Sequence, residues 1–318
     1  MPGTLIFHHN GIGDYVMSVP AMRALAHLAP PPVHIVCGAV DASFLYEGTR
    51  ATRIVRTPVR CGYFAHRLDP ASVTDLSPPY DWFISLAHWM SADILRLRER
   101  SRARWSAGLF PHFDLRPQFD VHTPVVHEVD RIFSLAAAFD AGASLVDWMQ
   151  PLPLPSDSVR FAADFAATVP AGSTLLAVHA ETRPEKIWPF DRLDAALATV
   201  MDERPGIVPV ILNTPPERLP RTAGNPTARF VGFAALTDAM ALTATCDCFL
   251  GVDSCMLHVA DLYRRPGVAL FGPTDPAQYG YRLTPAVGPI QIRPTDRNLR
   301  RLTPDAVVRA LVDVLDHL

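Results

Sequence analysis

The chain has 318 residues, 49% of them apolar and 19% charged, which suits two globular domains of ordinary size. A formal net charge of −3 gives no general electrostatic case for nucleic acid. No apolar run approaches the roughly 20 residues of a membrane span, so at most peripheral membrane contact is expected, and nothing at the N-terminus reads as a signal peptide.

In chain order, Thr4–His8 is a predicted strand and Asn10-Gly11-Ile12-Gly13-Asp14 a glycine-rich turn. A helix follows over 14–28, with Val16, Met17, Val19, Ala21, Leu25 and Leu28 apolar and Pro20 a candidate kink. Strand, Gly-x-Gly and helix invite a dinucleotide reading, but no third glycine completes that pattern. Residues 33–37, 53–56, 82–86 and 104–109 read as further strands alternating with helical or irregular segments, which predicts a parallel sheet. Arg96, Arg98, Arg100, Arg102 and Arg104 form an alternating basic run, read as a solvated helix end and strand entry. A helix is expected over 130–139. Residues 150–155, Gln-Pro-Leu-Pro-Leu-Pro, are too stiff for a helix and form the expected linker.

The second half repeats the α/β pattern, with helices at 157–168, 191–202 and 236–243 and strands at Thr174–His179, Ile207–Leu212 and Arg229–Val231. Residues 246–276 read as strand, helix, strand and rigid turn. Asp253 and Ser254 stand where the helix begins, and Arg264, Arg265, Pro266 and Gly267 end it. Two parallel strands joined this way leave a helix N-terminus at the carboxyl edge of a sheet, where ligands, and anions above all, bind. An amphipathic helix over 301–318 closes the chain. The five cysteines fit reduced thiols in a cytoplasm, and Cys246-x-Cys248 lacks metal-ligand spacing.

Several residues at these strand–helix junctions could carry chemistry. Ser254 and the N–H groups after it can bind phosphate oxygens. Asp253, an acceptor only, suits a sugar hydroxyl, and His258, one turn further on, can reach a diphosphate or tie down the loop. Asn213 or Glu217, at a strand end, is placed to hold ribose hydroxyls. The chain has 28 Arg and a single Lys, Lys186. A compact ammonium in a polar loop of such a chain points to a task that a planar guanidinium does less well.

GVDSCMLHVA (251–260) followed by FGPTDP (271–276) resembles the signature of glycosyltransferase family 9, the heptosyltransferases. VPAMRAL (19–25) after Gly13-Asp14, the strand around Tyr80-Asp81, and His179, Lys186, Trp188 and Pro189 in the spacing of that family extend the resemblance over nearly the whole chain. The single departure is Cys255, where the family has a glycine that lets a diphosphate approach the backbone.

The resemblance implies a GT-B fold: two Rossmann-like α/β domains facing a central cleft, an acceptor domain over 1–152, a donor domain over 153–300 and a last helix over 301–318 free to cross back. It implies an inverting transferase with Asp14 as general base. Thr182, Lys186, Asp253, Ser254, Cys255, His258 and Thr274 would then lie on the donor side, with Glu217 at the ribose, and His8, His9, Asn10 and Gly13 on the acceptor side. Trp188 reads as a core anchor. The implied donor is ADP-heptose and the acceptor is the lipopolysaccharide inner core. Residues 1–155 balance 13 Arg against 14 Asp plus Glu, which also admits a less acidic acceptor such as a small natural product. No Asp-x-Asp pair occurs, so no metal and no cofactor are expected. Removing Lys186 is expected to lower turnover and to leave stability nearly unchanged. The alternatives are a sugar-nucleotide epimerase of the same architecture and a non-catalytic sugar-nucleotide binding protein.

Overall fold

A computed structural model describes residues 2–38, 43–61, 66–73, 76, 79–117, 126–214, 228–231, 234–285 and 289–318. Two compact units meet in sequence at Gln150 and Pro151, inside the proline-rich stretch.

The first unit contains Thr4–His8 (β1), Ile12–Leu28 (α1), Val33–Gly38 (β2), Ala51–Thr57 (β3), Val59–Cys61 (β4), His66–Leu68 (β5), Trp82–Ser85 (β6), Ala92–Ser101 (α2), Trp105–Gly108 (β7) and Glu128–Phe133 (α3). Its main sheet has the order β3-β2-β1-β6-β7, parallel throughout, and β4 and β5 form a separate antiparallel pair. β1 and β2 are buried along their whole length, as expected of strands covered on both faces, and read as near-continuous apolar runs. β3 alternates between partly buried and exposed residues, the pattern of an edge strand with one wet face.

The second unit contains Ser156–Ala167 (α4), Thr174–His179 (β8), Phe190–Glu203 (α5), Ile207–Leu212 (β9), Arg229–Val231 (β10), Leu236–Thr245 (α6), Cys248–Val252 (β11), Cys255–Leu262 (α7), Gly267–Leu270 (β12), Pro276–Tyr279 (α8), Ile290–Ile292 (β13) and Pro304–Leu315 (α9). Its sheet has the order β10-β9-β8-β11-β12-β13, again all parallel. In each sheet the chain first works outward from one central strand (β1, β8) and then restarts on the other side of it (β6, β11). Those two junctions are topological switch points, the places where open α/β sheets bind ligands at their carboxyl edge.

Several element boundaries differ from the sequence reading for local reasons. α1 starts at Ile12, so Asp14 lies inside the first turn, and the helix continues through Pro20. α3 starts at Glu128 and ends at Phe133, with the following residues tightening into a 3-10 turn at Ala136–Ala138. Cys246 is the buried C-cap of α6 rather than a strand residue. The β4–β5 pair and β13 are strands of three residues each, too short to leave a periodic signature. α9, expected as free to cross back, packs its apolar side on α5, β12 and β13 of its own unit. Trp188 anchors this region: it is 1% exposed and its Nε1–H donates to the Leu302 carbonyl just ahead of α9 at 3.2 Å. Among the described residues no helix is long and apolar enough to cross a membrane.

Candidate functional site

In the first unit the candidate site lies at the β1–β6 switch point. The loop after β1 and the loop after β6 are stitched together by Asn10. Its Nδ2 donates to the Leu86 carbonyl at 2.9 Å, and its Oδ1 accepts from the His88 N–H at 2.8 Å. Trp89 Nε1 donates to the His9 carbonyl at 3.0 Å. This stitching holds Asp14 and His88 side by side, with Asp14 Oδ1 3.6 Å from His88 Nδ1. The same nitrogen lies 3.1 Å from Oε1 of Glu128, whose side chain is 1% exposed. Arg131, one turn along α3, clamps Glu128 through two N–H groups, its Nε at 2.8 Å. Burial, the main cause, holds His88 below the ordinary imidazole value; Asp14 and Glu128 oppose that shift and Arg131 adds to it. The Asp14 side chain is 36% exposed. The N-cap of α1 is Gly11, with no side-chain cap bond, so Asp14 is not the helix cap its position first suggests.

The acceptor-side residues expected from the sequence turn out to brace this loop. His8 is fully buried, with Nδ1 on the Tyr46 hydroxyl at 3.1 Å and Nε2 on the Ser18 hydroxyl at 2.6 Å. Burial, helped by the neighbouring His88 and His9, pushes its pKa down to about 3, so it stays a neutral internal hydrogen-bonding group. His9 is buried too, its Nδ1 3.0 Å from the Tyr15 hydroxyl, which itself donates to the His8 carbonyl at 3.0 Å. His9 packs against Gly38, where any Cβ would come 2.1 Å from the imidazole. Both ring nitrogens of His8 and both polar side-chain atoms of Asn10 are thus engaged within the fold. Gly13 is partly exposed beside Asp14.

The second unit builds its candidate site at the equivalent junction, β8–β11. Here Asp253, 4% exposed, is the hub. Its Oδ2 accepts from Lys186 Nζ at 2.6 Å and from the Thr274 hydroxyl at 2.6 Å. Its carbonyl accepts from the Thr182 hydroxyl at 3.2 Å. Thr182, Lys186, Asp253 and Thr274, spread over three loops in sequence, thus meet at one point. The sequence reading gives Asp253 to a sugar hydroxyl and Lys186 to phosphate; the two also form a mostly buried ion pair with each other, with 19% of the Lys186 and 6% of the Asp253 side chain exposed. Ser254 is the N-cap of α7 but makes no cap bond; its hydroxyl lies 3.0 Å from His179 Nδ1. Burial pushes the pKa of His179 down to about 4. Gly251 permits the close approach of the two strands, since a Cβ there would sit 2.6 Å from the His179 carbonyl oxygen.

Cys255 opens α7, and burial pushes its thiol up to about 11, so it is a neutral, weakly nucleophilic group. His258 is buried on the same helix. Arg293 supports the Thr274 loop by donating to the Thr274 carbonyl at 3.2 Å and pairing with Asp275 at 3.2 Å. Glu217 lies outside the described residues. Asn213 adopts φ 51° and its Oδ1 accepts the Ala234 N–H at 3.2 Å, a turn role. Among the described residues no three His, Cys, Asp or Glu side chains gather as metal ligands do.

Sequence reasoning missed His88, Glu128, Arg131 and Asp261. His88 follows a predicted strand, and the rule that marked Asp14 and Asp253 would have marked it too. Asp261, buried on α7, accepts the backbone N–H groups of Arg282, Leu283 and Thr284 at 2.8–3.1 Å and fixes that turn against the helix; no local spacing announces this.

The sequence model described as Glycosyltransferase family 9 (heptosyltransferase) matches residues 76–295. No curated protein matches the chain by sequence. Among solved structures, a glycosyl transferase family 9 protein from Veillonella parvula is similar with a TM-score of 0.77 at 16% identity, over 99% of this chain and 97% of that one. The E. coli ADP-heptose lps heptosyltransferase II has a TM-score of 0.71 at 18% identity, over 100% and 99%. The E. coli heptosyltransferase WaaC, solved with ADP, has a TM-score of 0.66 at 20% identity, over 96% and 98%. At these identities the structures speak for the fold, the two-unit GT-B architecture, while the family match covers well over half of the chain and sets aside the epimerase and binding-protein alternatives. The chain belongs to glycosyltransferase family 9 and is a glycosyltransferase.

Proposed function

We propose that this chain is an inverting transferase that moves a heptose from ADP-heptose to an acceptor hydroxyl, without a metal ion. The acceptor hydroxyl gives its proton to Asp14 as its oxygen attacks the anomeric carbon. The bond from that carbon to the diphosphate oxygen breaks, and its electron pair leaves with the diphosphate. One displacement inverts the anomeric centre. A weak base suffices where the transition state is oxocarbenium-like and the proton moves late. The observation that carries this reading is Asp14 itself: a partly exposed carboxylate at a switch point, on a helix whose N-cap is Gly11.

On the donor side, Lys186 and the first N–H groups of α7 meet the charge that builds on the departing diphosphate. Helix N-termini suit anions because their first N–H groups lack intrahelical partners. Asp253 and Thr274 hold Lys186 for that task. One of the three ammonium protons faces Asp253, which leaves two for phosphate oxygens. The heptose and the ADP rest on the family description and on the donor named for the similar E. coli heptosyltransferase II. The acceptor is an inner-core lipopolysaccharide or a small hydroxylated natural product. The free, buried thiols of Cys37, Cys246 and Cys248 support a reducing cytoplasm. The test is incubation with ADP-heptose, with and without a heptose-deficient inner-core acceptor or a panel of hydroxylated small molecules. ADP release coupled to a glycoside of inverted configuration is expected. Transfer from a different nucleotide sugar in preference to ADP-heptose would overturn the donor assignment.

A further inference from the structure

The first unit's site holds a group that the reaction above does not use. His88 lies behind Asp14 and offers one nitrogen, Nδ1, to two carboxylates: Asp14 at 3.6 Å and Glu128 at 3.1 Å. A carboxylate cannot donate, so the closer contact fixes the tautomer, with Nδ1–H pointing at Glu128 and its edge toward Asp14. Glu128 is itself immobilised by the two-pronged contact with Arg131. That tautomer leaves Nε2 as an acceptor, and Nε2 is buried with no hydrogen-bond partner among the described residues. A purely structural histidine in a well-packed fold satisfies both nitrogens, as His8 does in the same unit with Tyr46 and Ser18. An imidazole held at one nitrogen between two acids, with the other left unsatisfied, is an arrangement that stability alone does not explain.

We propose that His88 is the positioning residue of Asp14: held by Glu128 and Arg131, its Nδ1 edge orients the Asp14 carboxylate, and the two groups are electrostatically coupled. This rests on the reading of Asp14 as the base. The charged and titratable groups facing His88 are Asp14 from α1, Glu128 and Arg131 from α3, and His8 on β1 with His9 just beyond it. The two acids favour a protonated His88, while Arg131 and burial disfavour it. Removing either acid therefore lowers the pH at which His88 takes up a proton.

The experiment has two arms. In the first, the imidazole of His88 is titrated by NMR in the parent protein, assigned by its disappearance in His88→Asn. Its midpoint is expected below 6.5 in the parent and lower still in Asp14→Asn and in Glu128→Gln, because each substitution removes an acid that favours the charged form. An unchanged midpoint in Asp14→Asn overturns the coupling whatever Asp14 does in turnover. In the second arm, kcat/KM for ADP-heptose is followed against pH. His88→Ala is expected to lose roughly ten- to a hundred-fold, the range seen when a group that orients another from behind is removed. The loss is expected in kcat rather than KM. His88→Asn, which can place an N–H where Nδ1–H stood, recovers part of the loss, and His88→Gln, which reaches toward the Nε2 position, does not. A merely space-filling role reverses that order, which overturns the proposal. Melting curves on all variants separate loss of fold from loss of turnover. If Asp14→Asn keeps near-native turnover, the base reading fails and this one with it; if Asp14→Asn is inactive while the His88 variants keep the parent's profile, only this one fails.

Discussion

The two switch points solve the same structural problem with opposite electrostatics. In the first unit, the helix after β1 carries a carboxylate, Asp14, in its first turn, and the loop after β6 carries an imidazole, His88. In the second, the loop after β8 carries a cation, Lys186, and the loop after β11 carries a carboxylate, Asp253. Both strands that open the junction end in a buried histidine bonded to a serine, His8 to Ser18 and His179 to Ser254. The charged pairs differ in exposure. Asp14 keeps 36% of its side chain in solvent and stands 3.6 Å from its partner, whereas Lys186 and Asp253 are closed together at 2.6 Å and mostly buried. An open, loosely held carboxylate suits a group that must take up a proton. A closed pair suits a cation that must stay charged and in place while a diphosphate comes and goes. Equivalent positions on one topology therefore need not carry equivalent chemistry.

The comparison breaks most visibly at Asp14. Asp14→Asn is expected to lower turnover by roughly 10²–10⁴-fold, the usual contribution of a general base, while donor affinity stays within a few-fold. Because Gly11 and not Asp14 is the N-cap, stability should shift by less than about 1 kcal/mol, the dipole contribution alone. Single-turnover rates, donor titration and melting curves measure the three quantities; near-native turnover would show that the open carboxylate is incidental.

At the second junction Lys186→Ala should cost kcat/KM roughly ten- to a hundred-fold, since losing a charge-assisted contact costs about 1.5–3 kcal/mol. Lys186→Arg should recover only part, because the wider fork does not fit where one ammonium meets both Asp253 and phosphate. Here the structure revises the expectation of unchanged stability. Removing the lysine leaves Asp253 buried with, among the described residues, the Thr274 hydroxyl alone on the same oxygen, and breaking a buried pair destabilises by about 3 kcal/mol. Denaturant unfolding of Lys186→Ala checks this. A midpoint equal to the parent's would mean that the pair opens to solvent and that the two junctions are less different than they look.

These two sites were not equally legible. The second is written in two contiguous blocks, 179–189 and 251–276, so Lys186 and Asp253 stand out from composition and local pattern, and Thr182 and Thr274 from the resemblance those blocks carry. What the pattern could not give was who binds whom: the Lys186–Asp253 pair exists because β8 and β11 are neighbours, and strand order is not local information. The first site shows this more severely. Asp14 was legible at its strand–helix turn, but its partner comes from residue 88 through β1–β6 adjacency, and the clamp comes from residues 128 and 131 on a helix of six residues. His8, named as an acceptor ligand from its place at a strand end, faces inward because Tyr46 and Ser18, distant in sequence, close around it. The two α/β repeats and the proline-rich break were legible because periodicity and proline chemistry are local; the three-residue strands β4, β5 and β13 were not, because too few side chains alternate.

The shared feature of the two junctions gives a pH prediction. His8 and His179 have folded-state pKa values pushed down to about 3 and about 4 by burial, against 6.5 in the unfolded chain. Both are therefore neutral when folded and bind protons more readily when unfolded. Their contribution to stability is complete above pH 6.5 and is lost as pH falls toward 4 for His179 and toward 3 for His8. In that window each removes about 1.4 kcal/mol per pH unit. Unfolding measured at pH 7 and pH 5 should show both units losing stability together, and His179→Gln should flatten the slope of the second unit only. A flat profile over that range would mean that the two histidines open to water before the units unfold.

The smallest expected effect is none at all, and it separates the two ways of neutralising a diphosphate. Enzymes that hold a divalent ion on a sugar nucleotide often present it with paired acids, and the sequence has no Asp-x-Asp. The carboxylate best placed at the donor junction, Asp253, already gives Oδ2 to Lys186 and Thr274, so a metal ion would have to displace an ammonium at 2.6 Å from its partner. In the proposed reaction, Lys186 and the α7 N-terminus meet the developing charge instead, and such fixed donors need no reorganisation as the bond breaks. Activity in excess EDTA should therefore equal activity without it. Added magnesium or manganese should change the rate by no more than the general effect of ionic strength on a charged substrate. The assay is initial ADP release from ADP-heptose with chelator, with chelator followed by excess metal, and with matched monovalent salt. A loss that metal restores and salt does not would mean that the closed Lys186–Asp253 pair opens to admit an ion. The contrast between an open first junction and a closed second one would then fail at its second member.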